Sequence, residues 1–242
     1  MSLLAIERLE ARHGLLQAVR DVSFSLGEGE IVALVGANGA GKTTLLRAIA
    51  GAHRPAAGRV VLDGVDVSSV RASRRVRMGI ALVPEGRRLF ASLTVEENLL
   101  VAGRTGRPGP WNLGTVLAAF PMLAPHRRRR SGDLSGGQQQ ATAIGRALMT
   151  NPRVLLLDEV SLGLSPVAVN LVYESLQTVV AGGATLVLVE QDLARALRVA
   201  TRVACMLEGR IVLEGKTADL TRDRITQAYF GLRRAESGGL QR

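Results

Sequence analysis

Cysteine is almost missing from this chain of 242 residues: Cys205 stands alone in the apolar run Val203-Ala204-Cys205-Met206-Leu207. A single thiol excludes an internal disulfide and a multi-cysteine zinc site, and its surroundings predict a small buried residue. Lysine is nearly as scarce, since only Lys42 and Lys216 are lysine among 31 basic residues. Aromatic residues make up 3% of the chain, too few to build stacking platforms for bases. The formal charge of +10 would otherwise suggest nucleic acid. Apart from the run Arg127 to Arg130 the basic residues are spread along the chain, so a solvated basic surface and no nucleic-acid partner are expected. No uninterrupted apolar stretch reaches the ~18 residues of a membrane-spanning helix. Met1-Ser2-Leu3-Leu4-Ala5-Ile6 runs at once into Glu7 and Arg8, so no secretory signal is expected either. These features point to the cytoplasm.

What the chain has is apolar content, 47%, enough for one large domain. Ile31 to Val35, Ile80 to Val83, Val154 to Leu157 and Leu186 to Val189 are short continuous apolar runs. Such runs suit parallel strands covered on both faces. Between them lie helical stretches. One begins at Lys42 and ends near Gly51; one has Ser165 as N-cap and Pro166 at the first helical position and closes at Gly182-Gly183; one starts at Asp192. Asp63-Gly64 and Glu208-Gly209 mark two hairpins, so antiparallel pairing accompanies the parallel sheet. From Phe90 to Thr150 the pattern turns helical, broken by a Pro/Gly-rich segment from Arg104 to Gly114 that holds Trp111, for which packing is the simplest role. The expectation is an α/β fold with a mixed, mainly parallel core sheet, an antiparallel β subdomain and an inserted helical subdomain. As a single domain, 1–86 and 150–231 form the core, 87–149 the helical insertion and 232–242 a loose tail.

Gly36-Ala37-Asn38-Gly39-Ala40-Gly41-Lys42-Thr43, followed by Thr44, fits GxxxxGK[ST] directly after a buried strand and before a helix. Glycines let the backbone curl its N–H groups toward phosphates, and the helix adds its positive N-terminus. Lys42 is placed to reach the β- and γ-phosphates, and the Thr43 hydroxyl to ligate Mg²⁺. A chain that uses arginine almost everywhere keeps lysine here, where a slender ammonium fits between phosphate oxygens and a planar guanidinium does not. Farther on, Val154-Leu155-Leu156-Leu157-Asp158-Glu159 is an apolar strand ending in two acids. Alone it would often be a strand leaving the core. With the phosphate loop upstream, Asp158 suits Mg²⁺ and Glu159 suits a general base for an attacking water.

Leu134-Ser135-Gly136-Gly137-Gln138 lies just upstream of the acidic strand. This LSGGQ string resembles the signature of ABC ATPases. The resemblance extends over nearly the whole chain: Val83-Pro84-Glu85-Gly86-Arg87 resembles the Q-loop, Ser161-Leu162-Gly163-Leu164 the D-loop and Val189-Glu190-Gln191 the switch region. These strings, with Phe120-Pro121 and Ala228-Tyr229-Phe230-Gly231, look like the LivF-type ATPases of branched-chain amino acid importers. The family implies ATP and Mg²⁺ as cofactors. It implies head-to-tail pairing with a second ABC ATPase, identical or related, so that Ser135, Gly137 and Gln138 act on the partner's ATP. It further implies two transmembrane permease subunits, an external solute-binding protein acting indirectly, and a peripheral place on the cytoplasmic face of the plasma membrane. Transport of branched-chain or related small amino acids or amides is expected, with Lys42, Glu159 and Gln191 in catalysis.

The sequence also departs from the common family pattern. Glu85 stands where most members have Gln, and Gln191 where most have His; both suit the LivF-like subgroup. Glu85 brings an oxygen ligand for metal together with negative charge, while Gln191 offers a neutral donor. Val160 replaces a usual proline, which loosens that turn, and His13 replaces an aromatic that stacks on adenine. Alternatives are a urea or amide importer, an exporter, a soluble ABC ATPase working on ribosomes or nucleic acid, or a regulatory nucleotide binder. The last is disfavoured by Glu159.

Overall fold

The computed structural model describes residues 2–231; the tail at 232–242 lies outside them. The chain opens with two long antiparallel strands, β1 (Leu4–His13) and β2 (Leu16–Leu26). Next come the first parallel strand β3 (Ile31–Val35) and helix α1 (Lys42–Ala50). The hairpin β4 (Ala57–Leu62) and β5 (Val65–Asp66), helix α2 (Ala72–Met78) and strand β6 (Ile80–Val83) follow. Three α-helices then come before the chain re-enters the sheet, α3 (Val95–Gly103), α4 (Leu113–Ala119) and α5 (Gly136–Leu148), with 3-10 turns at Pro121–His126 and Ser131–Asp133 between the last two. The rest is β7 (Val154–Asp158), α6 (Pro166–Ala181), β8 (Thr185–Glu190), α7 (Leu193–Val199), β9 (Arg202–Leu207), β10 (Arg210–Lys216) and α8 (Arg222–Phe230).

The strands form two sheets: an antiparallel one ordered β2-β1-β4-β5, and a six-stranded one ordered β10-β9-β3-β8-β7-β6. In the larger sheet all neighbours are parallel except β10, which returns antiparallel along the edge through the Glu208-Gly209 turn. All residues of β3, β7 and β8 are buried, as their unbroken apolar runs require. Alternate side chains serve two cores. Ile31, Ala33, Val35, Leu155, Leu157, Leu186 and Leu188 face the helical layer. Val32, Leu34, Val154, Leu156, Val187 and Val189 face α1 and the antiparallel sheet. Full burial of each such side chain contributes about 1.5–3 kcal/mol.

Local signals fix the ends of the helices. Gly51 adopts φ 74° at the C-cap of α1, a left-handed conformation that glycine takes without a Cβ penalty. Ser165 caps α6 by accepting from Ala168 N–H, with Pro166 behind it. One boundary differs from the sequence reading. Gly114 belongs to α4, because Asn112 caps the helix by accepting from Gly114 and Thr115 N–H groups. The cap satisfies donors of the first turn and offsets the glycine's weak helix preference. Trp111 packs against the helical-side core, and Asn151 holds its backbone at both N–H and C=O.

Arg75 of α2 is 1% exposed. Its guanidinium donates to the carbonyls of Ala48 and Ile49 at the end of α1, and of Val70 and Ser68. A cation at a helix C-terminus meets the negative end of the dipole and satisfies orphan carbonyls. The phosphate-loop helix is thereby tied to α2.

Candidate functional site

The carboxyl ends of the parallel strands gather the polar residues. The end of β3 leads into the glycine-rich loop, β7 ends at Asp158 and Glu159, β8 at Glu190 and Gln191, and β6 just before Glu85. Ligand sites of open parallel sheets form at this edge. A cavity of about 550 Å³ opens there, lined by His13, Asn38, Gly39, Gly41, Lys42, Thr43, Thr44, Glu85, Glu159 and Gln191. The sequence singled out all ten.

Gly36, Ala37, Ala40 and Asp158 are not on the cavity wall. At Gly36 a Cβ would meet the Met206 carbonyl oxygen at 2.2 Å, and at Gly41, with φ 101°, the Ala18 carbonyl oxygen at 2.0 Å. The loop can therefore lie against β9 and β2 only with glycine at these positions. Ala40 is buried and accepts the Gly209 N–H, joining the loop to the β9–β10 turn.

Lys42 is 4% exposed and donates to the Gly36 and Ala37 carbonyls at 2.7 and 3.0 Å. Its ammonium lies 3.9 Å from Glu159 Oε1. Burial pushes its pKa down, against the pull of Glu159 and Asp158. Thr43 donates its hydroxyl to Asp158 Oδ1 at 3.0 Å. The other oxygen, Asp158 Oδ2, is buried and has no hydrogen-bond partner among the described residues. Burial raises the Asp158 pKa against the Thr43 hydrogen bond, and nearby Glu159 and Glu85 add to the rise. An orphaned carboxylate oxygen beside a hydroxyl is a poor resting arrangement and a good one for a hard divalent cation.

Glu159 leaves the strand with φ 49°, a conformation disfavoured for a residue with a side chain. Its N–H donates to the Val189 carbonyl at 3.1 Å, and its Oε2 accepts from Gln191 Nε2 at 2.7 Å. The carboxylate is thus aimed at the cavity from two sides. Val160, where loosening was expected, is 1% exposed within the helical-side core, so packing anchors the turn that proline would have stiffened.

His13 sits at the end of β1 directly across from Leu16 on β2, and both line the cavity. The sequence reading missed Leu16, Ala18 and Arg47, and had Leu162 only as part of the D-loop string. Arg47 lies four residues past Thr43 on α1, and that spacing could have found it. Leu16 could be found only through the hairpin register.

Ser135, Gly137 and Gln138 are not on this cavity. Ser135 is the N-cap of α5, where a capping box with Gln138 joins them in both directions: Gln138 N–H to Ser135 Oγ at 3.4 Å, and Ser135 N–H to Gln138 Oε1 at 3.0 Å. Gly137 is buried, and a Cβ there would meet Ala168 Cβ of α6 at 2.8 Å. The signature glycine therefore has a packing reason within this chain. Arg87, beside Glu85, donates to Gln139 at 2.9 Å and links the segment after β6 to α5.

The family profile described as ABC transporter matches residues 19–161. The high-affinity branched-chain amino acid transport ATP-binding protein BraG of Pseudomonas aeruginosa is 41% identical, covering 95% of this chain and 100% of its own. A probable branched-chain amino acid transport ATP-binding protein LivF of Archaeoglobus fulgidus is 34% identical over 88% of this chain and 92% of its own. The Nod factor export ATP-binding protein I of Rhizobium meliloti is 37% identical over 86% of this chain but only 62% of its own. A solved nucleotide-free ATP-binding cassette from an ABC transporter superposes with a TM-score of 0.81 at 26% identity, covering 94% of this chain and 95% of the other. With the phosphate loop, the acidic strand end and the signature helix in place, the chain belongs to the ABC transporter family as one of its ATP-binding, ATP-hydrolysing subunits.

Proposed function

We propose that this protein energises uptake of branched-chain or closely related small amino acids, working from the cytoplasmic face of the membrane as the ATPase of an importer. The observation that carries the enzymatic reading is the Glu159–Gln191 pair, held at 2.7 Å on the rim of the phosphate-loop cavity. Gly39, Gly41 and Lys42 would hold the phosphates of ATP. The Lys42 ammonium, which now donates to the Gly36 and Ala37 carbonyls, would turn from them to the phosphate oxygens. Asp158, Thr43 and Glu85 would hold Mg²⁺, which would supply positive charge to the phosphate oxygens; the orphaned Asp158 Oδ2 supports this assignment. Glu159 accepts the proton of the attacking water, and Gln191 orients Glu159 as a neutral donor. His13 and Leu16 form the base platform.

Ser135, Gly137 and Gln138 act in trans across an interface with a second ABC ATPase, in keeping with their place away from this chain's own cavity. The single nucleotide-binding domain then divides into the core of 1–86 and 150–231 and the helical part of 87–149. The permease meets a groove of about 400 Å³ beside the segment after Glu85, lined by Val76, Arg88, Phe90, Val101, Thr105 and Arg146 among others. Phe90 and Val101, 52% and 42% exposed, together give this groove an apolar surface for a partner to cover. Identity along the full length of BraG supports the solute class.

The test is reconstitution with the permeases and binding protein of a branched-chain amino acid importer from the same source. Leucine, isoleucine or valine should stimulate ATP hydrolysis and accumulate in vesicles. Stimulation by other solutes alone, or outward transport, would overturn the amino acid reading. Glu159→Gln should trap an ATP-bound dimer; undiminished turnover would remove Glu159 as the base.

A further inference from the structure

Three consecutive residues at the end of β8 hold the loop that leaves β7. The Val189 carbonyl accepts the Glu159 N–H at 3.1 Å. Glu190 Oε2 accepts the Ser161 hydroxyl at 2.8 Å. Gln191 Nε2 donates to Glu159 Oε2 at 2.7 Å. The middle residue is the unexpected one. Glu190 is 1% exposed and does not line the nucleotide cavity. Its other oxygen, Oε1, accepts the Tyr173 hydroxyl of α6 at 2.6 Å.

A buried carboxylate costs free energy that an apolar residue would avoid, so its hydroxyl partners matter. Here both oxygens are used, one toward the helical layer and one toward the loop. The loop needs holding. Glu159 is kept at φ 49° against its own preference. Two residues beyond Ser161, Gly163 also has a positive φ, 69°. Leu162, between them, is 47% exposed and lines the cavity, so this loop reaches both the surface and the nucleotide site. Motion of the loop at the surface therefore has a direct path to Glu159 through the chain and to Gln191 through Glu190.

We propose that Glu190 is a positioning residue: it clamps the loop 159–163 to the end of β8, with Tyr173 as its anchor, and keeps Glu159 and Gln191 in register for hydrolysis. The inference rests on Glu159 being the base. With the clamp released, Glu159 keeps its backbone tie to Val189 but samples orientations away from the cavity. Turnover then falls while the phosphate loop still binds ATP.

The experiment measures kcat and KM for ATP in the purified transporter with its permeases, for Ser161→Ala, Glu190→Ala, Glu190→Gln, the Ser161→Ala/Glu190→Ala double variant and Glu159→Gln. Ser161→Ala and Glu190→Ala are expected to lower kcat about 10-fold with KM within about twofold, the signature of lost positioning. Glu190→Gln should recover most of the rate, because an amide still accepts from Tyr173 and can donate to the Ser161 oxygen. The double variant should be no slower than Glu190→Ala, since both changes cut one link. Hydrogen exchange at residues 160–164 should rise in both single variants. Ser161→Ala removes only a half-buried hydroxyl, which keeps the test independent of any folding defect in Glu190→Ala. A normal kcat in Ser161→Ala, additive effects in the double variant, or no rescue by Gln would overturn the clamp. If Glu159→Gln is inactive while Ser161→Ala turns over normally, the clamp alone fails. If Glu159→Gln keeps turnover, the reading of the base fails first.

Discussion

Strands β7 and β8 run side by side, and each ends in a buried carboxylate. Asp158 pairs in register with Val189, one residue before Glu190. Both acids are 1% exposed, and burial raises the pKa of each. Their surroundings differ in one respect. Glu190 has a hydroxyl on each oxygen, from Ser161 and Tyr173. Asp158 has one hydroxyl, from Thr43, and one bare oxygen facing no donor. A satisfied buried acid holds its neighbours in place. An unsatisfied one stores a cost that a ligand relieves. In the functions proposed for them, the same residue chemistry serves as a clamp in one strand and as half a binding site in the next.

The comparison breaks most visibly at Asp158. Asp158→Asn should lower Mg²⁺-dependent ATP hydrolysis by about 100-fold or more, because it removes charge aimed at a cation beside the phosphates. The Tm of the nucleotide-free protein should stay level or rise, since a desolvated charge with a bare oxygen is gone. A variant that hydrolyses normally would place the cation elsewhere. Ligand addition sharpens the contrast. MgATP at about 100 times its Kd should stabilise the wild type by about 2.7 kcal/mol, read as a Tm increase. That increase should survive in Glu190→Gln and lose its Mg²⁺-dependent part in Asp158→Asn.

At Glu190 the larger effect is on stability without nucleotide. Glu190→Ala strands two hydroxyls and should cost about 1–3 kcal/mol in a urea titration. If Asp158→Ala costs as much in the same titration, the two acids do not differ as described. The smallest effect is expected for Tyr173→Phe, which keeps the ring and removes one donor, at about 1 kcal/mol. Full stability in that variant would leave Tyr173 out of the network.

The parallel strands and α1 were legible because each carries its own signal. β3, β7 and β8 are continuous apolar runs, and Gly36 to Thr43 spells a phosphate loop in consecutive residues. The long strands β1 and β2 were not read. The start Leu3-Leu4-Ala5-Ile6 is apolar at every position and shows no alternation, and after the buried Leu4 and Ile6 the next buried positions are Leu9 and Ala11. The register shifts between Ile6 and Leu9, where Arg8 takes φ 44° and the strand bulges, so the period of two is interrupted. Helix α2 was missed for a related reason. Its one buried residue is Arg75, which no apolar pattern would point out.

The sequence alone determined the things that depend on neighbours along the chain: the phosphate loop, the acidic strand end, the capped signature helix and the family they imply. The sequence already pointed Asp158 toward Mg²⁺ and Glu159 toward the water; only the tertiary structure decided which partners each acid meets, and it alone brought out Glu190. Asp158, Glu159 and Glu190 are equally acidic in one dimension. Their surroundings differ in which hydroxyls and amides distant segments bring to each oxygen. In a buried site the partner of a charge, more than the charge itself, sets its energy and its availability.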